Sequence, residues 1–376
     1  MTPEQAKSVE IQDHRLWKGL RGKRMLLSFD LEITARCNNN CRHCCINVPV
    51  DDKAAEAGEL SPAVISRIAD EAVSLGAFWC LVTGGEPLLR DDFPEIYLAL
   101  KRKGLLVSVF TNATLIREDH IRLFREYPPR DIEVSVYGVT RSTYERVTRQ
   151  TGSFDAFTRG LNLLSAGGIK ARLKAVAMRS NLSELPAIEQ FCRERTRDYF
   201  RMDPFLHFRF DSNGSRNADI QAERLSPEEI VSIERADRER SDALHRSADG
   251  SILPETVRGS RNHLFHCGIG QGSFSVSFDG FFRLCSDLWK PDCLYDLKDG
   301  TLAEAWLNFA PQIQDLRSNR REFLEKCAAC PIIDLCFWCP ARAHLETGET
   351  DRHVDYFCRV AHARAKAFGT EGNRPH

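Results

Sequence analysis

Apolar residues recur at every second position in several short segments, and at three- and four-residue spacing in the stretches between them. These are the periods of half-buried strands and of amphipathic helices. LLSFDLEIT (Leu26–Thr34) predicts a first strand. Ser61–Gly76 predicts a helix: Ser61 can cap it, Pro62 suits its first turn and Gly76 can end it. The alternation then continues with strands FWCLVTGG, LLVSVFTN, DIEVSVYG and KARLKAVAM, and with helices over Phe93–Gly104, Arg117–Tyr127, Ser153–Gly168 and Leu182–Thr196. FLHFRF (Phe205–Phe210) predicts a sixth strand. Successive strand–helix units need crossover connections, so the sheet is expected to be parallel with helices packed outside it. Six units are too few for an eight-fold barrel and suit an open, partial one. Functional groups are expected at the carboxyl ends of its strands.

After this core the pattern changes. Residues 211–263 are rich in Arg, Glu, Asp and Ser, with one helical stretch near Ser226–Asp242, and predict a surface-exposed bridge. From Leu264 the chain turns cysteine-rich, with turns expected at Asp279–Gly280 and Asp299–Gly300. The expected organisation is an N-terminal extension (1–25), a barrel (26–210), the bridge (211–263), a second, metal-organised domain (264–362) and a frayed tail (363–376).

Charge adds little. The net formal charge is -1, so no basic field argues for nucleic acid. The arginines at Arg193, Arg195, Arg197 and Arg201 read as a solvated helix end. The polar opening MTPEQAKSVE is no signal peptide, and no uninterrupted apolar run approaches a membrane span. A cytoplasmic location is the expectation.

Cysteine changes the picture. Of 14 cysteines, four fall between Cys37 and Cys45 and eight between Cys267 and Cys358. Without a secretory signal, such clusters point to metal rather than disulfides. CNNNCRHC places thiols at Cys37, Cys41 and Cys44 in one short loop after the first strand. Soft thiolates select Fe–S clusters, zinc or Cu(I). Three on a cubane leave one iron open; the alternative is zinc with a distant fourth ligand or with His43. Cys45 adjoins Cys44 and points elsewhere. Cys80, mid-strand, and Cys192, on a helix, read as small buried residues.

The loop Cys37-x3-Cys41-x2-Cys44 and the segment Thr83–Gly84–Gly85–Glu86–Pro87 after strand two resemble the radical S-adenosylmethionine (SAM) superfamily. The resemblance implies a [4Fe–4S] cluster on the three cysteines, its open iron chelated by the methionine moiety of SAM. It implies that Gly84, Gly85 and Glu86 contact the amino group, with Asn112 and Ser135 at the cofactor's ribose or carboxylate; both also read as plain turn residues. An electron entering the cluster then yields methionine and a 5′-deoxyadenosyl radical, which takes a substrate hydrogen. Tyr137 reads as a packed aromatic or as a donor near the cofactor. No catalytic acid or base is identified.

The later pattern is Cys267, Gly280-x4-Cys285, Cys327-x2-Cys330-x5-Cys336-x2-Cys339 and Cys358. It resembles the SPASM auxiliary-cluster domain of peptide and protein maturases, with one fewer residue between Cys336 and Cys339. The resemblance implies two further [4Fe–4S] clusters, three in all. The outer one is held by Cys327, Cys330, Cys336 and Cys358, the inner one by Cys267, Cys285 and Cys339. Where some members add a cysteine, this chain has Arg261. Cys293, His266 or an open iron remain as the inner cluster's fourth position. The expected fold is thus α/β: a partial (βα)6 TIM-like barrel followed by a small cysteine-rich SPASM domain binding Fe–S clusters.

The leading expectation is oxidative modification or crosslinking of a peptide, in the manner of ribosomal-peptide maturation, with flavodoxin or ferredoxin as electron donor. About 25 residues precede strand one, short for a leader-binding domain, so a separate leader-peptide recognition protein is one possible partner. Sulfatase-type maturation fits less well, because Ser286 follows Cys285 and Asp287 stands one place out. The alternatives are oxidation of a small molecule and a non-catalytic Fe–S electron carrier or sensor.

Overall fold

A computed structural model describes residues 24–196, 200–248 and 262–369. Most of the N-terminal extension, Arg197, Arg261 and the end of the tail lie outside the described residues.

Six parallel strands form the barrel: β1 (Ser28–Thr34), β2 (Trp79–Gly84), β3 (Leu106–Thr111), β4 (Asp131–Val136), β5 (Ala171–Val176) and β6 (Arg201–Asp203). Each pairs in parallel with the next in chain order, so every connection between them is a crossover. Alternation sorts their side chains. Phe29, Leu31, Cys80, Val82, Val107, Val109, Ile132 and Val134 are buried in the main apolar core. Cys192 joins them from the helix Leu185–Arg195. On the alternate positions Lys174 pairs with Glu133 at 2.5 Å and sits 3.8 Å over the Phe110 ring.

The connecting helices follow their caps. In Pro62–Ser74 the Ser61 hydroxyl accepts the N–H of Val64 at 3.4 Å, and Ile65, Ile68, Ala69 and Ala72 face the core. Gly76 ends it at φ +109°, a conformation that favours glycine.

Three features differ from expectation. First, the sheet does not stop at β1. β7 (Ser273–Val276) joins β1 in parallel, and β8 (Phe281–Arg283) and β9 (Tyr295–Asp296) continue antiparallel, giving nine strands. Phe274 stacks on Phe29 with centroids 5.5 Å apart, so the cysteine-rich region shares the barrel's core. Second, Phe205–Phe210 is not a strand. Pro204 offers no N–H to a ladder, and Phe205 turns away to pack on Phe337 (4.1 Å) and Phe357 (5.0 Å). Third, the charged stretch forms three helices: Gly214–Glu223, Pro227–Ala236 and Arg238–Ala248. Their charges are spent internally: the Arg364 Nε donates to Glu234 at 2.8 Å in a fully buried pair, and Arg224 donates to Glu346 at 3.0 Å. Val231 and Leu244 pack with Phe368 of the last helix, Asp355–Phe368.

Candidate active site

The loop after β1 is held from several sides. Arg36–Cys37 pairs with Val48–Pro49, and the N–H groups of Asn40 and Arg42 donate to the carbonyls of Thr148 (2.9 Å) and Val147 (3.0 Å). Arg216 donates to the Cys41 carbonyl at 2.8 Å, and Arg209 to that of Cys44 at 3.1 Å; both also reach the Asn47 Oδ1. Neither arginine carried a sequence signal, because Arg209 stands in the segment read as a sixth strand and Arg216 in the stretch read as bridge.

Within this frame Cys37, Cys41 and Cys44 come together. Burial pushes all three thiols up, and the charges of Cys37 and Cys44 push Cys41 further. Three thiolates are stable in such a place only against concentrated positive charge, which a metal centre provides. N–H groups already point at the sulfurs: Asn39 at Cys37 and Asn47 at Cys44, each 3.4 Å, and the Asn112 amide at Cys37, 3.8 Å. Such donors orient thiolate ligands and tune the potential of a cluster. The donor set thus fits a [4Fe–4S] cluster. His43 is driven to about 4 by burial and packs on Tyr137 at 5.1 Å.

The two glycines after β2 serve this loop. A Cβ on Gly84 would lie 2.1 Å from the Thr34 carbonyl oxygen, and one on Gly85 only 2.3 Å from that of Arg36. Their absence lets the Gly85 and Glu86 N–H groups donate to Thr34 (2.7 Å) and Arg36 (2.9 Å). Glu86 itself faces inward. Its carboxylate, read from sequence as a partner for an ammonium, is fully buried and accepts from the Thr111 hydroxyl (2.7 Å), the Asn112 N–H (2.7 Å) and the Leu88 N–H (3.2 Å). What Gly84–Glu86 offers a ligand is backbone. Burial lifts Glu86 to about 7 against those three hydrogen bonds.

Asn112 donates to Asn38 Oδ1 at 3.0 Å and accepts from the Thr114 N–H at 2.9 Å, which holds it beside Cys37. Ser135 lies half-buried one residue before the end of β4. Tyr137 lies between His43 and Tyr144, and its hydroxyl opposes the upward push that burial gives the Cys41 thiol.

The later thiols fall into two groups. Burial raises Cys327, with Cys336, Cys330 and Cys358 adding to it, and it raises Cys285, with Cys339 and Cys267 adding to it. Cys293, expected as a possible fourth member of the second group, is fully buried in the apolar core on the turn Pro291–Cys293. Between the first loop and the inner group lies a link that sequence reasoning missed. Burial alone would lower His207, but Asp287 and then Cys45 raise it to about 10. Its Nε2 is 3.5 Å from Asp287, which also accepts from Arg342 Nε at 3.1 Å, while the Arg342 N–H points at the Cys339 sulfur at 3.4 Å. His207 was hidden in a segment read as a strand.

Cysteines at the carboxyl end of β1, a glycine pair at the end of β2 and an open parallel barrel define a radical SAM protein. Residues 31–192 match the radical SAM superfamily. The chain belongs to that superfamily, with a SPASM-type cysteine-rich region after the barrel. It is therefore in a family that binds SAM and a [4Fe–4S] cluster.

Among curated proteins, the chain is 27% identical over 333 residues to an Fe-coproporphyrin III synthase of Methanosarcina barkeri, covering 81% of this chain and 80% of that one. It is 25% identical to the antilisterial bacteriocin subtilosin biosynthesis protein AlbA of Bacillus subtilis, covering 84% and 67%. Among solved structures it resembles SuiB of Streptococcus suis bound to the precursor peptide SuiA. That likeness has a TM-score of 0.66 at 14% identity, over 89% and 76% of the two chains. At that identity it concerns the fold. Among the described residues no helix is long and apolar enough to cross a membrane.

Proposed function

We propose that this chain is a radical SAM/SPASM enzyme that oxidatively modifies a peptide, with Cys37, Cys41 and Cys44 holding the cluster that engages SAM. The observation that carries the reading is the charged link His207–Asp287–Arg342, which touches the first cysteine loop through Cys45 and the later cysteines through Cys339. When bound there, a [4Fe–4S] cluster and SAM supply hydrogen-atom abstraction by reductive cleavage of the cofactor. The protein's part is orientation and exclusion of water. Gly84, Gly85 and Glu86 bring backbone close to the loop, Asn112 steadies Cys37, and Ser135 ends the strand facing the cofactor. Cys327, Cys330, Cys336 and Cys358 hold an outer auxiliary cluster, and Cys267, Cys285 and Cys339 an inner one. These are suited to take the electron left on the substrate after hydrogen removal. A flavodoxin- or ferredoxin-like protein supplies the first electron, and a separate recognition protein presents the peptide where a leader is used.

A second reading has its own support: the likeness to the Fe-coproporphyrin III synthase spans four-fifths of both chains. It makes the product an iron coproporphyrin and the substrate an iron tetrapyrrole that precedes it. One experiment separates the two. Reconstituted enzyme with SAM and reductant is offered a peptide encoded beside its gene and, in parallel, an iron tetrapyrrole precursor of iron coproporphyrin. Loss of hydrogens in pairs from the peptide supports the maturase. A mass change confined to the tetrapyrrole replaces it, and absence of 5′-deoxyadenosine in fully loaded protein sinks both in favour of a carrier.

A further inference from the structure

Three asparagines follow one another between Cys37 and Cys41: Asn38, Asn39 and Asn40. The outer two are tied to the protein. Asn38 Nδ2 donates to the Thr114 hydroxyl at 2.8 Å, and its Oδ1 accepts from Asn112 Nδ2 at 3.0 Å. Asn40 Oδ1 accepts from Arg216 Nη1, and its N–H donates to the Thr148 carbonyl at 2.9 Å. The middle one differs. Asn39 is only 3% exposed, and both atoms of its side-chain amide are without a hydrogen-bond partner. A buried amide unmatched at both ends costs folding free energy that an apolar side chain of similar size would not.

The backbone holds Asn39 in this place. Its N–H points at Cys37 Sγ at 3.4 Å, and its carbonyl accepts from Asn47 Nδ2 at 3.1 Å. Asn47 is gripped in turn through Oδ1 by Arg209 at 3.0 Å and Arg216 at 3.1 Å. Asn39 is thus fixed against the first sulfur. Two more buried groups without a hydrogen-bond partner border the same loop: His43 Nδ1, between Cys41 and Cys44, and the Tyr144 hydroxyl. Tyr144 lies on the helix Arg141–Thr148, whose Val147 and Thr148 carbonyls take the N–H groups of Arg42 and Asn40. Unmatched polar groups therefore gather where the thiols meet. Buried polar groups of folded proteins are matched by something, and the sulfurs of an Fe–S cluster accept N–H donors.

We propose that Asn39 is a positioning residue of the first centre: its Nδ2–H donates to an anionic sulfur of the cluster on Cys37, Cys41 and Cys44 and raises that cluster's reduction potential. The inference rests on the reading that these three thiols hold a cluster. The reduced cluster carries one more negative charge than the oxidised one, so a donor favours it and makes the electron easier to accept.

The test is a redox titration of the full-length, cluster-loaded protein, read by electron paramagnetic resonance. The first cluster's signal is the one that SAM shifts and that Cys41→Ala removes. Asn39→Leu deletes the amide at nearly constant volume. It is expected to keep the parent's iron content and, without SAM, to hold about tenfold less reduced cluster at a fixed potential, a midpoint lower by about 59 mV. Asn39→Ala, which cannot crowd the loop, is expected to do the same. Electron–nuclear double resonance reads the contact directly: a proton coupling that the reduced parent loses in deuterium oxide is expected to be absent from both variants. An unchanged midpoint or a retained coupling in the loaded variants overturns the inference, as a buried water on the amide would give. A shift that appears only once SAM is added overturns it too, by moving the contact to the cofactor. Loss of the first cluster from both variants does the same, since the amide then holds the loop and does not tune the cluster. A loaded parent with no signal that SAM shifts removes instead the cluster reading beneath the inference.

Discussion

The carboxylate of Glu86 accepts the backbone N–H of Asn112 at 2.7 Å, tying the end of β2 to the end of β3 at the point where the Asn112 amide meets the Cys37 sulfur. A fully buried carboxyl in such a clasp makes the fold pH-sensitive. Burial raises Glu86 from 4.5 to about 7. Between those values the folded protein keeps a proton that the unfolded chain has released. Stability is therefore full below the unfolded value and falls as pH rises through the folded one, by about 3 kcal/mol in all. Glu86→Gln is expected to flatten this slope, at the cost of one acceptor. Thermal midpoints of the two proteins across about pH 5 to 8 check it; equal slopes count against the assignment.

Gly85 is a steric requirement. A methyl there would meet the carbonyl oxygens of Arg36 at 2.3 Å and Ala35 at 2.5 Å, both backbone and unable to swing aside. Gly85→Ala is expected to cost ~1–3 kcal/mol and to displace the cysteine loop. Iron analysis should show loss from the first cluster alone. A variant that melts and binds iron like the parent would contradict this packing.

The pair Arg364–Glu234 joins the last helix to the charged helices, with side chains only 2% and 1% exposed. Removing one partner strands a buried charge. Arg364→Met is expected to lose ~3–5 kcal/mol, whereas Arg364→Met with Glu234→Leu recovers most of it. A double variant as unstable as the single one would show that the loss is not electrostatic. Arg240, which also reaches Glu234 at 3.1 Å, is half exposed and matters less.

Replacing Cys37, Cys41 and Cys44 together by alanine is expected to remove about four of about 12 irons and all 5′-deoxyadenosine formation. Iron and sulfide analysis beside a product assay reads both. Retention of cofactor cleavage would place the chemistry at another cluster.

Much of this was legible before any coordinates. Strand alternation located five of the six barrel strands, because period-two burial is written locally: Cys80, Val82, Val107 and Val109 face the core as their spacing implies. Ser61, Pro62 and Gly76 marked a helix for the same reason, since caps act within a few residues. The short spacing of Cys37, Cys41 and Cys44 forces neighbouring thiols whatever else the chain does.

The misses share a different cause. FLHFRF has a strand's composition, yet Pro204 and the aromatic surface of Phe337 and Phe357, over a hundred residues away in sequence, pull it off the sheet. The charged bridge looked solvated because sequence counts charges without showing that Arg364 and Arg224 reach back to pair them.

By itself, then, the sequence determined the barrel's repeating unit, the first cysteine loop and the end of the sheet at which it sits. These depend on contacts only a few residues apart. Only the tertiary structure decided that β7 extends the sheet beyond β1, that the Glu86 carboxylate turns inward and that Cys293 joins the apolar core. It also brought His207 to Asp287. Those outcomes turn on which distant segments share one volume, a competition of burial and charge that linear spacing does not record.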